Sequence, residues 1–340
     1  MTFSEEFQIR RDSKDDWFDP ILALDTRLFV DPFLIYNTSK AQFKHAHQKT
    51  ITFFKLAFLL AAGSSKSSKD LRYRSILRMM IFPEARELCL GYASDSTSGS
   101  GSGSGFAKQI TNSIYECIKL GVKNLDHFET LGLFNEGIGC DRISDMTFTL
   151  LKREFIEYTQ AVCKRHNVQM REFKVSQYAF YSSIQRWDPA TVFLPENPYI
   201  PGRAVILTPK SFLRELPSIS ADGFWDYAWS NLNQELRDQL SIEVKNGIKK
   251  AEIVQIAKDH LDWVRKFEEW LYTKPSPYDL EKDPKGLYKW AMETKSYAAD
   301  NPLHFSLITN PREFERFIDL IVVEFSHFIE DKFWVSTYME

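Results

Sequence analysis

Glu136-Gly-Ile-Gly-Cys-Asp-Arg-Ile-Ser-Asp145 is the stretch on which the reading of the fold turns. Glycines at 137 and 139 let a backbone take positive φ or approach another group closely. Immediately downstream, Phe148, Leu151, Phe155, Tyr158 and Val162 recur at threes and fours, which predicts one long amphipathic helix. Arg153, Glu154 and Glu157 fall on its other face. Lys164, Arg165 and His166 occupy its last turn, where positive charge suits the helix dipole. Asp141, Ser144 and Asp145 stand where a side-chain oxygen caps a helix N-terminus. The two aspartates, four apart, would also share a helix face. With Asp25 and Asp31 they would supply an oxygen-rich Mg²⁺ site of the kind phosphoryl-transfer enzymes use. Capping is the preferred reading, and the metal site is its alternative.

Outward from this stretch the pattern alternates short strands with helices. Leu28-Phe29-Val30 reads as a short buried strand, and Asp31-Pro32 as an N-cap followed by proline at the first helical position. A helix is predicted from Lys40 to Ala62, then a flexible loop from Gly63 to Lys69, then a basic helix from Asp70 to Met80. Arg86 to Tyr92 reads as a strand. The Ser/Gly run from Ser94 to Gly105 reads as flexible coil. Phe106 to Leu120 reads as a helix closed by Gly121, and Asp126 to Gly132 as a helical turn. Strands are predicted at Arg171 to Val175, Thr191 to Leu194 and Arg203 to Leu207, the last two joined by a proline-rich loop. Lys210 to Leu216 reads as a helical turn. From Asp222 the chain is mostly helical, with blocks at Lys249 to Tyr272 and Arg312 to Lys332 about a linker-like Lys274 to Gly286. The fold class that follows is α+β and helix-rich, with a small mixed sheet in the N-terminal half and a helical C-terminal region. The predicted division is an α+β domain over 1–215 and a mainly helical region over 216–340.

Composition narrows the function classes. The 340 residues are 44% hydrophobic and 14% aromatic, enough for a large core, so global disorder is excluded. The net charge of -3 and pI near 6.2 give no bulk attraction to nucleic acid, so such a contact needs a local basic patch. Four cysteines without a CxxC pair, and a highly charged stretch from Met1 to Asp16, read as reduced thiols in a cytoplasmic protein with no signal peptide. The longest apolar run, Ile51 to Ala62, is broken by Lys55 and falls short of a membrane span.

Several motifs carry chemistry. Lys66, Lys69, Arg72, Arg74 and Arg78 form the densest basic patch, with Tyr73 placed to stack on a base; it is the candidate nucleic-acid surface, against a solvated helix face. Glu172-Phe-Lys174 matches the E-x-K half of a PD-(D/E)xK nuclease, which would need Asp141 or Asp145 as its other half. The candidate catalytic set is thus Asp141, Asp145, Glu172 and Lys174, and the candidate metal set Asp25, Asp31, Asp141 and Asp145. The Ser/Gly run lacks the GK[ST] ending of a phosphate loop. His45 and His47 point to different sides of a helix, a poor zinc pair. Cys163, beside Lys164 and near His166, reads as a buried inert thiol.

Leu24-Asp-Thr-Arg-Leu-Phe-Val-Asp-Pro32, Leu90-Gly-Tyr92 with the Ser/Gly run, Gly137-Ile-Gly-Cys-Asp-Arg-Ile-Ser-Asp-Met-Thr147 with Tyr158-Thr-Gln160, and Leu207-Thr-Pro-Lys-Ser-Phe-Leu-Arg214 together carry a resemblance. The chain resembles a family of largely uncharacterised bacterial proteins found in defence-type gene neighbourhoods, some of which continue into a C-terminal PD-(D/E)xK nuclease-like domain. The resemblance spans most of residues 20–335. Together with the basic patch, the Ser/Gly loop and the abrupt end, the resemblance points to a non-catalytic sensor or scaffold region of an anti-phage nuclease system, expected to need no cofactor and to contact DNA, RNA, a partner protein or a nuclease domain; the apolar runs give no expectation of a membrane contact. This chain departs from the pattern at Phe333-Trp-Val-Ser-Thr-Tyr-Met-Glu340, which shows no nuclease motif; an aromatic end of this kind implies a longer parent or a segment docked on a partner. The alternatives are a Mg²⁺-dependent nuclease or phosphohydrolase using Asp141 and Asp145, and an oligomerisation module pairing Phe314, Phe317, Ile321, Phe325 and Phe328 with a second copy.

Overall fold

Thr2 and Glu5 exchange side-chain-to-backbone bonds around the first turn, α1 (Phe3–Glu6), a capping box that fixes where the chain enters the fold. The computed structural model describes residues 1–23, 25, 26, 28–91, 102–214, 218–231 and 248–273. After α1 come β1 (Phe29–Val30) and α2 (Pro32–Tyr36). Asp31 caps α2 as predicted, its carboxylate accepting from the Phe33 N–H at 3.0 Å, with Pro32 at the first helical position. Then follow α3 (Ala46–Ala62), α4 (Leu71–Met79), α5 (Ser102–Lys119), α6 (Leu131–Phe134), α7 (Cys140–Leu150) and α8 (Lys152–Arg165). The hairpin β2 (Arg171–Tyr181) and β3 (Arg186–Leu194), the short β4 (Leu213–Arg214), and helices α9 (Ala221–Asn231), α10 (Lys250–Asp259) and α11 (Leu261–Leu271) complete the described chain.

The architecture is α+β and helix-rich, with a small amount of sheet inside the first 215 residues and helices after it. Both ladders are antiparallel. β2 pairs with β3 from Arg171↔Leu194 to Tyr181↔Arg186, with a bulge between Val175 and Ala179 where Gln177 takes φ 53°. β1 pairs with β4 through Phe29↔Arg214 and Val30↔Leu213. One parallel bridge joins Thr26 to Leu90.

The structure moves several predicted elements. The long mid-chain helix is two helices, broken at Leu151, where φ is -114° and ψ 19°. Its beginning is earlier than predicted: α7 starts at Cys140 on Gly139, and no side chain caps it. Gly137 and Gly139 do not take positive φ; Gly139 is extended at φ -97°, ψ -176°. Gly137 is a site of close approach, since a Cβ there would sit 2.8 Å from the Gln109 amide nitrogen. The strand predicted at Arg86 to Tyr92 is a 3-10 turn, Arg86–Leu88, ended by Cys89 in the left-handed region at φ 52°. Arg203 to Leu207 is extended but not a strand, because its amides go to separate partners: Val205 to the Pro195 carbonyl, Ile206 to that of Glu87, and Leu207 to the Thr159 hydroxyl. α5 begins at Ser102, inside the Ser/Gly run. It ends as predicted: the Gly121 N–H reaches the Ile118 carbonyl, the Val122 N–H reaches that of Cys117, and Gly121 has φ 83°, a Schellman motif. The block at Lys249 to Tyr272 is broken at His260, φ -127° and ψ 65°. The predicted helix at Arg312 to Lys332, its apolar stripe and the linker-like segment before it lie outside the described residues.

Aromatic side chains hold these pieces together. Phe43 meets Phe155 at 5.0 Å and Phe212 at 4.9 Å, both edge to face, which joins α8 and the residues before β4 to the segment leading into α3. Phe54 of α3 stacks on Phe128 at 5.0 Å, and Phe53 meets Phe180 of the hairpin at 4.7 Å. Each fully buried ring among these contributes about 2–3 kcal/mol through the area it removes from water, and the partly buried Phe180 less. The buried apolar residues form one cluster that takes in α9, α10 and α11 through Phe224, Ile253, Trp263 and Phe267. No helix among the described residues is long and apolar enough to cross a membrane.

Candidate functional site

Asp141 and Asp145 lie one turn apart on α7, and neither caps it. Asp145 is 4% exposed. One of its oxygens accepts from the Ala85 N–H at 2.9 Å; the other has no partner. Burial, reinforced by the charge of Asp141, pushes its pKa well above the usual carboxylate range. Asp141 is only partly buried, and its own pKa is raised by burial and by Glu84 against the pull of Arg142. Its Oδ1 sits so close to Gly91 that a Cβ there would be 2.9 Å away. Ser144, the other predicted cap, accepts from the Val30 N–H at 3.0 Å. The polar side chains of this stretch therefore hold the backbones of β1 and of residues 85–91 against α7, instead of serving the amides of their own helix.

The four candidate metal ligands are not brought together. Asp31 is fully buried, accepts from the Ser218 N–H at 2.9 Å and the Ser218 hydroxyl at 2.6 Å, and shares an electrostatic environment with Glu129. Asp25 acts on Arg86 and Cys89. Among the described residues no three His, Cys, Asp or Glu side chains converge as a metal-ligand group. Glu172 and Lys174 are exposed neighbours on one face of β2, opposite Phe193 and Thr191. Among the described residues no hydrogen bond or ion pair links them to Asp141 or Asp145. The buried amine in this region is Lys152, 3% exposed, which donates to the Ser176 carbonyl at 3.4 Å; burial lowers its pKa against the charges of Glu87 and Asp145. Cys163 is buried and its thiol is pushed up to about 12, as expected for an inert core cysteine.

The basic patch is built differently. Lys66, Lys69, Arg72, Arg74 and Arg78 are all exposed, on α4 and the loop before it. Among the described residues none of them forms an ion pair. The one acid within the segment, Asp70, is committed to backbone: it caps α4 through the Arg72 N–H at 2.8 Å and holds the Ser65 N–H at 2.7 Å and the Ser65 hydroxyl at 3.0 Å. Those bonds, the Ser65 N–H first, hold its pKa down to about 2. The loop is thereby ordered, with Lys66 in the left-handed region at φ 58° and its ammonium 4.8 Å from the centre of the Tyr115 ring. Arg72 folds back onto the Gly63 carbonyl. Tyr73, the residue expected to stack on a base, is half-buried beside Tyr115, centroids 6.4 Å apart and the rings tilted.

A further constellation has no counterpart in the sequence motifs. A cleft of about 540 Å³ lies between residues 121–134 and α11. At its wall His127, 3% exposed, is placed between Glu129 Oε1 at 3.2 Å from Nδ1 and the Tyr272 hydroxyl at 2.8 Å from Nε2. The Thr130 hydroxyl donates to Glu268 at 2.6 Å. Glu129 is fully buried and its second oxygen has no partner. Burial opposes charge on His127, but the hydrogen bond and charge of Glu129 outweigh it and raise its pKa. Burial raises the pKa of Glu268 against the bond from Thr130. His-x-Glu spacing occurs freely by chance, and its partners on α11 lie some 140 residues on, so no local signal could have marked it.

Residues 8–220, more than half of the chain, match the family model described as a domain of unknown function, DUF8370, and the chain belongs to that family. No curated protein and no solved structure matches it.

Proposed function

We propose that this chain is a non-catalytic sensor or scaffold that contacts nucleic acid through residues 66–78, within a bacterial anti-phage nuclease system. The observation that carries the reading is the exposed, ordered and unpaired basic segment: five cations stand on one loop and helix, and its single acid is bound to the loop's own backbone. Phosphate contacts of this kind come from Lys, Arg, Ser and backbone N–H groups together, and Ser65, Ser67 and Ser68 lie between or beside the lysines. In a chain of net charge -3 such attraction is local, which suits a module that positions a nuclease domain or partner protein on a nucleic acid. The defence setting rests on the motif resemblance alone.

Fluorescence anisotropy with labelled duplex DNA, single-stranded DNA and RNA, each at two salt concentrations, tests the reading. Binding that weakens steeply with salt, and weakens again on Lys69→Glu, Arg74→Glu and Arg78→Glu together, is expected. Binding indifferent to the triple reversal removes the basic segment from the argument. The Mg²⁺-dependent nuclease or phosphohydrolase reading is supported by the unpartnered oxygen of Asp145 beside Asp141. Mg²⁺-dependent cleavage lost on Asp145→Asn would favour it.

A further inference from the structure

The cleft of about 540 Å³ separates residues 121–134, inside the family region, from α11, which follows that region. Its size falls in the roughly 300–1,000 Å³ typical of small-molecule sites, which combine an apolar lining with a few convergent polar groups. Leu125, Phe134 and Val264 line it and are buried, so part of its wall is apolar. Four polar side chains line it as well, joined in two hydrogen-bonded pairs, Tyr272 with His127 and Thr130 with Glu268. We propose that this cleft binds a small organic cation, a protonated amine or guanidinium carried on an apolar body.

The hydrogen-bond inventory of the four polar side chains selects that chemistry. The Thr130 hydroxyl has one hydrogen and gives it to Glu268 at 2.6 Å. The Glu129 carboxylate only accepts, so Nδ1 of a neutral His127 donates to it, and Nε2 accepts from the Tyr272 hydroxyl at 2.8 Å. Both hydroxyl hydrogens are thus engaged within the protein. The lone pairs of Thr130, Tyr272 and Glu268 remain, and the second oxygen of Glu268 has no hydrogen bond among the described residues. Protonation of His127 frees the Tyr272 hydrogen and leaves Glu268 as it was. An occupant that meets these groups must bring the donors. Charge points the same way. Asp126, Glu268 and Glu269 line the cleft against Lys123 and Arg265, and the fully buried Glu129 is bonded to His127. Among the described residues none of those five lining groups forms an ion pair. Lys123 and Arg265 are exposed, whereas Glu268 is half-buried, so the protein's own cations stay in water and the carboxylate does not. A carboxylate withdrawn from water without a countercharge is unfavourable. An ammonium or guanidinium supplies the charge and the donors together, through short charge-assisted bonds.

Methyl-detected NMR of the full chain at pH 8.0, with Leu and Val labelled, reads occupancy at Leu125 and Val264. The probe is phenethylamine, with 2-phenylethanol as its uncharged match and 3-phenylpropanoate as its anionic one. Phenethylamine should shift both methyl sets saturably, with a Kd of about 1–10 mM, as expected for so few atoms. The alcohol should bind about tenfold more weakly, since it lacks the charge-assisted bond, and the anion more weakly still. Glu268→Gln keeps an acceptor for Thr130 but removes the charge. It should weaken phenethylamine about tenfold and leave the alcohol within about twofold. The proposal is overturned by unshifted Leu125 and Val264 methyls at about 50 mM phenethylamine, well above that expected Kd. Equal affinity for the amine and the alcohol, tighter binding of the anion, or an amine affinity unchanged in Glu268→Gln overturns it equally. Should Glu268→Gln not fold, the amine–alcohol comparison on the unaltered chain decides alone. No residue of 66–78 lines the cleft, so these outcomes are independent of the nucleic-acid reading.

Discussion

Replacing Asp31 by Asn should change the pH dependence of stability more than stability itself. Asp31 is fully buried and accepts from the Phe33 N–H, the Ser218 N–H and the Ser218 hydroxyl. Burial drives its pKa from 3.8 up to about 6, helped by the charge of Glu129 and opposed by the Ser218 bonds and Arg214. A folded value above the unfolded one means that ionisation works against the fold: the cost is absent below 3.8, grows up to about 6, and is constant above. That cost is about 3 kcal/mol at pH 7.5 and about 1 kcal/mol at pH 4.5. Asparagine carries no charge and so removes it at every pH. Its NH₂ group, however, faces the Ser218 N–H, and the missing acceptor costs about 1–3 kcal/mol throughout. Urea titrations of both proteins at pH 4.5, 6 and 7.5, followed by circular dichroism, isolate the effect, since groups common to the two cancel. The Asn variant should gain about 2 kcal/mol on the wild type between pH 4.5 and 7.5. A difference that is flat with pH, or one that turns against Asn as the pH rises, would show that Arg214 compensates the Asp31 charge and that burial does not dominate.

Three other outcomes follow from the same structure. Reversing Lys69, Arg74 and Arg78 to Glu should reduce the slope of log K against log salt by about 3 in the anisotropy assay, near 0.9 for each phosphate that is no longer neutralised. Ser144→Ala leaves the buried Val30 N–H without its acceptor and should lower stability by about 1–3 kcal/mol in urea titration, because no other α7 side chain bonds that amide. Gly121→Ala should cost about 1 kcal/mol, read as a lowered Tm, from the positive φ of 83° alone, since no atom lies within 4 Å of the added Cβ.

Much of the fold was legible because the signals were local. The Asp31 cap, the proline behind it, the Gly121 terminus and the apolar stripes of α3 and α8 each require only a few neighbouring residues to be read. What failed was decided at long range. Asp141, Ser144 and Asp145 look like caps in sequence, but the amides of Val30 and Ala85, supplied by segments 60 to 114 residues away, claim Asp145 and Ser144, and the helix begins without them. Arg203 to Leu207 has the composition of a strand, but its amides are divided among three partners. The exposure of the basic segment was legible because it demands nothing of distant residues, whereas the half-burial of Tyr73 depends on Tyr115, some 40 residues on, and could not be read locally.

The segments that look most like functional motifs are held to one another. Val30 bonds to Ser144, the Asp31 N–H to the Phe212 carbonyl at 2.8 Å, and β1 pairs with β4, so the strand before α2, the start of α7 and the segment ahead of residue 214 form one junction. Gly91 lies against Asp141, and its N–H bonds to the Thr26 carbonyl at 2.9 Å, which ties the remaining segment to the same place. Ser144 and Asp145 serve this junction as acceptors for buried amides, a need that constrains residue type as tightly as catalysis would, because an unpaired buried amide costs about 1–3 kcal/mol. Motif density in this chain therefore reports backbone satisfaction first. The basic loop and helix keep some backbone duty, Arg72 donating to the Gly63 carbonyl and Lys66 lying over the Tyr115 ring, but their cations form no ion pair among the described residues and are exposed to an anionic partner, and that is why the functional reading rests there and not on the aspartates.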